Sequence, residues 1–521
     1  MLVAGLSSFI RPPSLSTSLS VAIMDDLSNT PKNVDHPDPL LDKGRWPART
    51  FMGRTACHIA GQKTPADAPW CAVLHRLEAT MKVSIIGGGG TRVPILVGAL
   101  LDLQERLSLT EISLTDPDGE RFAAMDKIVS AIVKDRNSTI DISHADTFRE
   151  CVTRASFVIA AIRVGGDHMR TLDERIPLSM DVLGQETVGA GGFAMAVRTI
   201  PVVLDMLNEL REVAPDAWFI NLTNPSGIIT QAMVSHGGFH NVVGICDAPT
   251  SIGILLAYLL KVQPEDLVLD YYGLNHCGFV KSVYALGHDV LPQILSMIDQ
   301  VPDFEVMTHF SPAFVQRLGK LPNGYIWYYA FKRESLAAVK AAGETRGEEV
   351  ERLNAQLVVD LMATSDPLAT YQAYLGKRED GHLAEEYRTA MSLKSGEGYS
   401  AVAMDVLLGL AGKGQSVVPV NVMNRGAIAG LALDDVVEVP SLITERLIRP
   451  LAVGPIDRES QLLIEQVKLY ERSLVDAVAY RDLGALIEAL ALNPLVPSPA
   501  VARDLVLAFK EQEAPYFDSF K

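Results

Sequence analysis

The stretch Met81-Lys82-Val83-Ser84-Ile85-Ile86-Gly87-Gly88-Gly89-Gly90-Thr91-Arg92-Val93-Pro94 decides the fold. It reads as a buried strand, a glycine turn and the opening of a helix. Val83, Ile85 and Ile86 suit a strand covered on both faces, and Pro94 is tolerated in a first helical turn. Gly87, Gly88, Gly89 and Gly90 let the backbone reverse and come close to a ligand, and the helix N-terminus that follows would face a phosphate. An acidic residue at the end of the next strand is expected to hold a ribose hydroxyl. Glu111-Ile112-Ser113-Leu114-Thr115-Asp116 places Asp116 there, at the spacing such a site requires. Together these residues read as a dinucleotide site. The third glycine of G-x-G-x-x-G is absent, since Arg92 stands in its place, so a tight strand-to-helix connection is the alternative for the turn taken alone.

A chain of 521 residues can hold two or more cored domains, and 48% hydrophobic with 21% charged residues is an ordinary globular composition. A net charge of −17 repels nucleic acid and anionic membrane, so neither is expected as a partner, and an anionic substrate would need a local arginine cluster. Cys57, Cys71, Cys151, Cys246 and Cys277 are odd in number and form no CxxC pair, which argues against a disulfide framework and fits a reducing cytoplasm. No apolar run approaches membrane-spanning length.

Residues 1–80 differ from the rest, with scattered Pro, Ser, Thr and Asp, no helical or strand period, and no basic segment of the kind that opens a signal peptide. They are expected to be a disordered extension or a mis-assigned start with Met81 as the true first residue; a targeting segment is the third reading. His58 beside Cys57 is an isolated pair with no metal-site context. From Met81 onward strand and helix alternate: a helix over 96–103, a strand over 112–115, a helix over 119–133, then buried strands over 156–162, 218–222 and 242–245. The last three run into Arg163, Asn224 and Cys246-Asp247. Polar residues thus gather at the carboxyl ends of parallel strands, where ligands bind in such sheets. The pattern predicts an α/β fold with a Rossmann-like doubly wound parallel sheet over 81–270. Beyond Asp270 the period changes to mixed strands and longer helices, predicting a mixed α/β domain over 271–521 for substrate and oligomerisation, with a site loop at 321–329. Apolar residues from Gln461 to Tyr470 have helical spacing and suit core or a subunit interface.

Cys246, a thiol at a strand end, and His276, an imidazole, are metal candidates. Two protein ligands leave coordination positions for substrate oxygens, as a catalytic metal needs. A buried thiol and a hydrogen-bonded histidine are the alternative, and spacing leaves both open.

The motifs continue in order: Gly87-Gly88-Gly89-Gly90-Thr91-x-x-Pro94, Arg163-Val164-Gly165-Gly166, Asp173-Glu174-Arg175-Ile176-Pro177, Gly184-Gln185-Glu186-Thr187, Asn221-x-x-Asn224-Pro225, Ile245-Cys246-Asp247-x-Pro249 and Gly273-Leu274-Asn275-His276. Tyr325-Ile326-x-Tyr328-Tyr329, Thr345-Arg346 and Asn424-x-Gly426-Ala427-Ile428 follow. From Met81 to near the C-terminus the chain thereby resembles glycoside hydrolase family 4. The resemblance implies a lactate/malate dehydrogenase-like fold, hydrolysis of O-glycosyl bonds in 6-phosphorylated glucosides or disaccharides, and NAD with Mn²⁺ or another divalent cation. It also implies a homodimer or homotetramer in the cytoplasm.

The resemblance also implies roles. NAD, held by Gly87 to Gly90, Thr91 and Asp116, takes a hydride from C3 of the sugar, and the ketone acidifies the C2 proton. A metal on Cys246 and His276 polarises that ketone. Tyr325 removes the C2 proton, Asp247 protonates the leaving group, water adds, and the hydride returns. Arg163, Asn224 and Arg346 match positions that contact the 6-phosphate, while Glu186 and Asn275 orient substrate hydroxyls or the metal. Cys246-Asp247 looks like α-glucoside members; the stretches Thr345 through Ser395-Gly396-Glu397-Gly398-Tyr399 and Asn493-Pro494-Leu495-Val496 look like β-type members, and the β anomer is favoured. Two other functions compete. A 2-hydroxyacid dehydrogenase of the lactate/malate type would produce net NADH and have no need of Cys246. A catalytically silent NAD- or sugar-phosphate-binding regulator would lack Tyr325, Cys246 or His276, and all three are present.

Overall fold

The computed structural model describes residues 81–301, 304–379 and 398–521. The extension over 1–80, with Cys57 and His58, and Ser395-Gly396-Glu397 lie outside the described residues. Strand β1 (Met81–Ile86) is central, with Val83 and Ile85 buried on one face and Ser84 and Ile86 on the other. It pairs in parallel with β2 (Leu109–Thr115) on one side and β4 (Phe157–Ala160) on the other. β3 (Asp141–His144) lies outside β2, and β5 (Trp218–Asn221) and β6 (Val242–Gly244) follow β4, all parallel. The order β3-β2-β1-β4-β5-β6 is the expected doubly wound sheet, and it reverses direction between β1 and β4. A ligand crevice opens at the carboxyl ends beside that switch point.

Strand ends depart from the expectation for a local reason. β4 stops at Ala160 because the next in-line donor, Ile162 N, turns to Thr223 Oγ1 at 3.1 Å instead of continuing the ladder. The expected boundary at residue 270 is a change of sequence pattern, not a break in the sheet. β11 (Ser416–Met423), β12 (Val436–Thr444) and β13 (Leu447–Pro450) extend the sheet antiparallel from β6, making nine strands. One core cluster contains Val83 and Ile85 together with Leu274, Val420 and Val437. The second half also forms a smaller sheet from β7 (Leu267–Leu274), β8 (Cys277–Ala285), β9 (His288–Asp289) and β10 (Leu321–Pro322). Asn275 and His276 form the two-residue tip of the β7–β8 hairpin.

The helical spacing after Gln461 belongs to the helix Arg458–Tyr480, whose Ile464, Val467, Leu474 and Val478 are buried. Leu474 shares a core with Phe193, Val197 and Ile200 of the helix Gly189–Val213. That 25-residue helix corrects the expectation about apolar runs, because by length and composition it could cross a membrane. Its apolar residues are satisfied by this core instead.

Its Arg198 is buried in a triad. Both terminal nitrogens meet Asp173, at 2.8 and 2.7 Å, and one also meets Glu513 at 2.5 Å. One cation thus faces two buried carboxylates, and Glu513 Oε1 has no hydrogen-bond partner among the described residues. Burial, with Arg198 opposing and Asp173 adding to it, pushes Glu513 up from 4.5 to about 7. A carboxyl whose folded value is raised favours folding below its unfolded value, and that contribution is lost as pH rises through the folded one. The stability of Glu513→Gln relative to the natural chain should therefore improve between pH 4.5 and about 7, by at most about 3 kcal/mol. Urea unfolding of both proteins at about pH 5 and about pH 8 checks this, and a pH-independent difference would contradict it.

Candidate active site

The glycine turn is held from both neighbouring strands. Gly87 N and Gly88 N donate to the Thr115 carbonyl at 3.0 and 2.9 Å, and Gly90 N donates to the Gly87 carbonyl at 2.9 Å. Gly87 has φ +88°, and a Cβ there would lie 2.6 Å from the Ala161 carbonyl, so only glycine lets β1 leave the sheet so close to β4. Asp116, expected at a ribose hydroxyl, braces this turn: Oδ2 accepts from Gly89 N and Oδ1 from Asp118 N, each at 2.8 Å. Thr91 is buried, and its carbonyl accepts from Tyr371 Oη at 2.6 Å, so the helix Pro367–Glu379 of the second half caps the turn.

A cavity of about 210 Å³ leads from Gly90 and Thr91 past the ends of β4 and β5. Its wall includes Arg163, Glu186 and Asn224, and also Arg92, Arg170 and Arg378, which the sequence motifs did not single out. Glu186 Oε2 lies 2.8 Å from Arg163 and 3.1 Å from Arg170. Burial alone would push Glu186 up, but Arg170 and Arg163 outweigh it and hold the carboxyl at about 2. Asn224 precedes a cis peptide bond to Pro225, and its Oδ1 is buried without a hydrogen-bond partner among the described residues. Arg346 is placed differently from the other two phosphate candidates, Arg163 and Asn224. It meets Glu349 Oε2 at 2.5 Å and the Arg378 carbonyl at 2.7 Å, outside the cavity wall, and so holds the end of the helix that carries Arg378.

Cys246 and His276, thirty residues apart, meet with Sγ 3.3 Å from Nε2, both buried. Burial pushes the His276 imidazole down to about 3, so the ring stays neutral through neutral pH with a lone pair on one of its two nitrogens. Burial, Glu438 and Asp247 push the Cys246 thiol up, so a thiolate there calls for a compensating cation. His276 Nδ1 has no hydrogen-bond partner among the described residues, and its φ is +60°. One divalent ion reaches both atoms at ordinary metal–ligand lengths of about 2.0–2.3 Å, so the pair fits a two-ligand catalytic metal. Among the described residues no cluster of three or more His, Cys, Asp or Glu adds a third ligand. Tyr325 stacks on His276 with ring centroids 3.7 Å apart and planes 12° apart. Asp247 begins the helix Ala248–Leu260, with Oδ1 3.9 Å from Cys246 Sγ and Oδ2 3.8 Å from Arg92.

Residues 82–262 match the model of the family 4 glycosyl hydrolases, and residues 271–496 match that of the family 4 glycosyl hydrolase C-terminal domain. The chain belongs to glycosyl hydrolase family 4. It is 31% identical to a protein of Bacillus subtilis strain 168 named as a probable 6-phospho-beta-glucosidase, over 84% of this chain and 98% of that one. It is 30% identical to 6-phospho-alpha-glucosidase 1 of Lacticaseibacillus paracasei, over 82% of this chain and 96% of that one. Among solved structures, a 6-phospho-beta glucosidase from Thermotoga maritima with manganese, NAD⁺ and glucose-6-phosphate is similar at a TM-score of 0.73 and 28% identity, covering 84% and 99% of the two chains. Membership makes the protein a hydrolase of glycosyl bonds.

In this family 4 hydrolase the side chains named above are tied together by a carboxylate that sequence reasoning missed. Glu438 on β12 has no exposed surface and accepts from Tyr271 Oη at 2.9 Å, Asn421 Nδ2 at 2.9 Å and Asn275 Nδ2 at 3.3 Å. Tyr271 Oη in turn accepts from Asn323 Nδ2 at 3.0 Å, and Asn323 Oδ1 accepts from Tyr325 N at 3.0 Å. Asn275, beside His276, also accepts from Gly227 N at 3.4 Å, just past Asn224-Pro225. A Cβ at Gly278 would overlap the Tyr271 hydroxyl, so that glycine makes room for the relay. The available signal was a lone acid inside the apolar run Val436-Val437-Glu438-Val439. Glu438→Gln should lower kcat about 10–100-fold with KM changed less than about threefold, as loss of a supporting residue does. Steady-state kinetics beside a melting curve check this, and an unchanged kcat in a folded variant would remove Glu438 from the site.

Proposed function

We propose that the protein is an NAD- and divalent-metal-dependent 6-phospho-glucosidase, with the β anomer preferred. The carrying observation is the Cys246–His276 pair at 3.3 Å with Tyr325 stacked on it, placed beside an arginine-walled cavity that opens from the glycine turn. The relatives named for β- and α-linked 6-phospho-glucosides, and the relative solved with manganese, NAD⁺ and glucose-6-phosphate, support the substrate class and both cofactors. The proposed course is oxidation at C3, removal of the C2 proton, elimination of the leaving group, addition of water and re-reduction at C3, with no net redox change. When bound, NAD supplies a reversible hydride acceptor and the divalent ion a Lewis acid.

The chain's own residues take the remaining tasks. Gly87 to Gly90 and Thr91 present backbone to the dinucleotide, and Asp116 holds their shape through Gly89. Cys246 and His276 hold the ion. Arg163 and Arg170, with Asn224, receive the 6-phosphate, since guanidinium forks match its oxygens. Glu186, kept ionised between those arginines, accepts from a sugar hydroxyl. Tyr325 removes the C2 proton. Burial, followed by Cys246, Glu186 and Asp247, pushes its hydroxyl up, so it becomes a base only when a cation beside His276 offsets those charges. Asp247, next to Cys246 and 3.8 Å from Arg92 of the cavity wall, protonates the leaving group. Nothing in this arrangement favours a dehydrogenase, which would leave the Cys246–His276 pair without a task.

Release of p-nitrophenol from the 6-phospho-β-glucoside, the 6-phospho-α-glucoside and the unphosphorylated glucoside, with and without NAD and Mn²⁺, tests the reading. Turnover should require both cofactors and the phosphate; turnover without NAD would overturn it. Glucose 6-phosphate formed in D₂O should carry deuterium at C2, whereas direct displacement at C1 would leave C2 unlabelled. Tyr325→Phe should lower kcat about 10²–10⁴-fold while Mn²⁺ affinity, followed by electron paramagnetic resonance, stays within about threefold.

A further inference from the structure

A second cavity, of about 370 Å³, is lined by Tyr325 and differs in chemistry from the arginine-walled one. Resting on the proposed function above, we propose that it receives the leaving group and that Trp327 selects flat aromatic aglycones over sugars. The position follows from the helix Ala248–Leu260. Asp247, the proposed acid, stands at its start, and Ala248, Ser251, Ile252 and Leu255, at the spacing of one helix face, line the cavity immediately beyond. Trp327 and Tyr328, on the short helix that follows Tyr325, form the facing wall. Gln185 lines this cavity and Glu186 the arginine-walled one, so the chain divides the two spaces between successive residues. A sugar ring bonded at C1 near Asp247 with its phosphate at Arg163 directs its aglycone to this side.

Several polar groups of the wall are engaged elsewhere. Gln185 Oε1 accepts from Thr187 N, Thr187 Oγ1 and Val188 N at 2.7–2.9 Å. Asn323 is committed at both ends to Tyr271 and Tyr325, and Thr308 Oγ1 donates to the Phe304 carbonyl at 2.7 Å. What faces the space is Ile252, Leu255, Pro322 and an aromatic platform in which Trp327 stacks with His309 at 4.9 Å and 25°. A sugar leaving group would lose the hydration of its hydroxyls there with few partners in return, whereas a phenyl ring loses little and gains the stack. An apolar cavity of about 150 Å³ already holds a benzene ring, so the space is ample for one aryl group.

The test compares kcat/KM for a phenyl 6-phospho-glucoside and a 6-phosphorylated disaccharide, using the full chain with NAD and Mn²⁺ and whichever anomer is turned over. Trp327→Ala should raise KM for the phenyl substrate about tenfold and for the disaccharide less than about threefold, with inhibition by glucose 6-phosphate unchanged. Trp327→Phe should restore most of the phenyl preference, and Ile252→Gln on the opposite wall should lower the phenyl-to-disaccharide ratio independently if Trp327→Ala does not fold. Equal losses on both substrates, or a ratio unchanged in Trp327→Ala and Ile252→Gln, overturn the aglycone assignment alone. No turnover of either substrate by the natural chain overturns the glycosidase reading and this inference with it.

Discussion

The Glu438 carboxylate is the constraint from which the site's geometry follows. Burying a carboxylate among valines is costly unless hydrogen bonds replace its water, and three donors converge on this one from β7, the hairpin tip and β11. Two of those donors also hold something functional. Tyr271 reaches the Tyr325 backbone through Asn323, and Asn275 reaches both His276 along the chain and the Asn224-Pro225 turn through Gly227. A shift in any one of these loops would leave a buried donor or acceptor unpaired. The loops therefore move together or not at all, which suits a site whose proposed metal ligand His276 is at the β7–β8 tip, whose proposed base Tyr325 follows β10, and whose thiol follows β6 of the larger sheet.

Charge is arranged on a similar plan around the arginine-walled cavity. Arg163 and Arg170 share Glu186, and Arg170 also pairs with Glu174. Glu186 and Glu174 balance these two guanidinium groups, and Arg378 on the same wall adds the positive charge that an anionic ligand would complete. The Arg198 triad below has the opposite balance, two carboxylates for one cation, and Arg198 Nε also holds the Val164 carbonyl at 3.3 Å. The loop that presents Arg163 is thereby fastened to the core and to the C-terminal segment carrying Glu513. In a chain of net charge −17, Arg92, Arg163, Arg170 and Arg378 on one cavity wall make a local positive patch, as the proposed phosphorylated substrate would need.

The first half of the fold was legible because its signals are local. Val83, Ile85 and Ile86, interrupted only by Ser84, form a mostly apolar stretch before a glycine turn, as in a parallel-sheet strand covered on both faces by helices. The polar residues Arg163, Asn224, Cys246 and Asp247 stood out because each directly follows a buried strand. What was not legible depends on long-range pairing. Nothing near Ser416 announces that β11 joins β6 across more than 170 residues, since its exposed and buried positions suit any antiparallel strand. Arg170 and Arg378 sit on helices, where a guanidinium reads as surface, and only tertiary contact turns them inward. Arg346 shows the reverse. Its motif pointed to phosphate, but the capping box of Thr345 and Glu348 and the nearby Glu349 fix the first turn of its helix so that its side chain runs to Arg378 instead.

Tyr325 stacked on His276 links these two kinds of information. A phenol ring lying nearly parallel to a neutral imidazole at 3.7 Å can slide little without losing contact on both faces of the hairpin tip. The same imidazole uses Nε2 toward Cys246, so the position of the base and the position of a metal ion are set by one ring. Burial first and then the charges of Cys246, Glu186 and Asp247 push the Tyr325 hydroxyl up, and an ion drawn toward Cys246 would offset the charge part of that push. Acidity at the substrate carbon and basicity at Tyr325 would then rise together on metal binding. Elimination requires that coincidence, because a strong base without an activated C2–H bond, or the reverse, leaves the glycosidic bond intact.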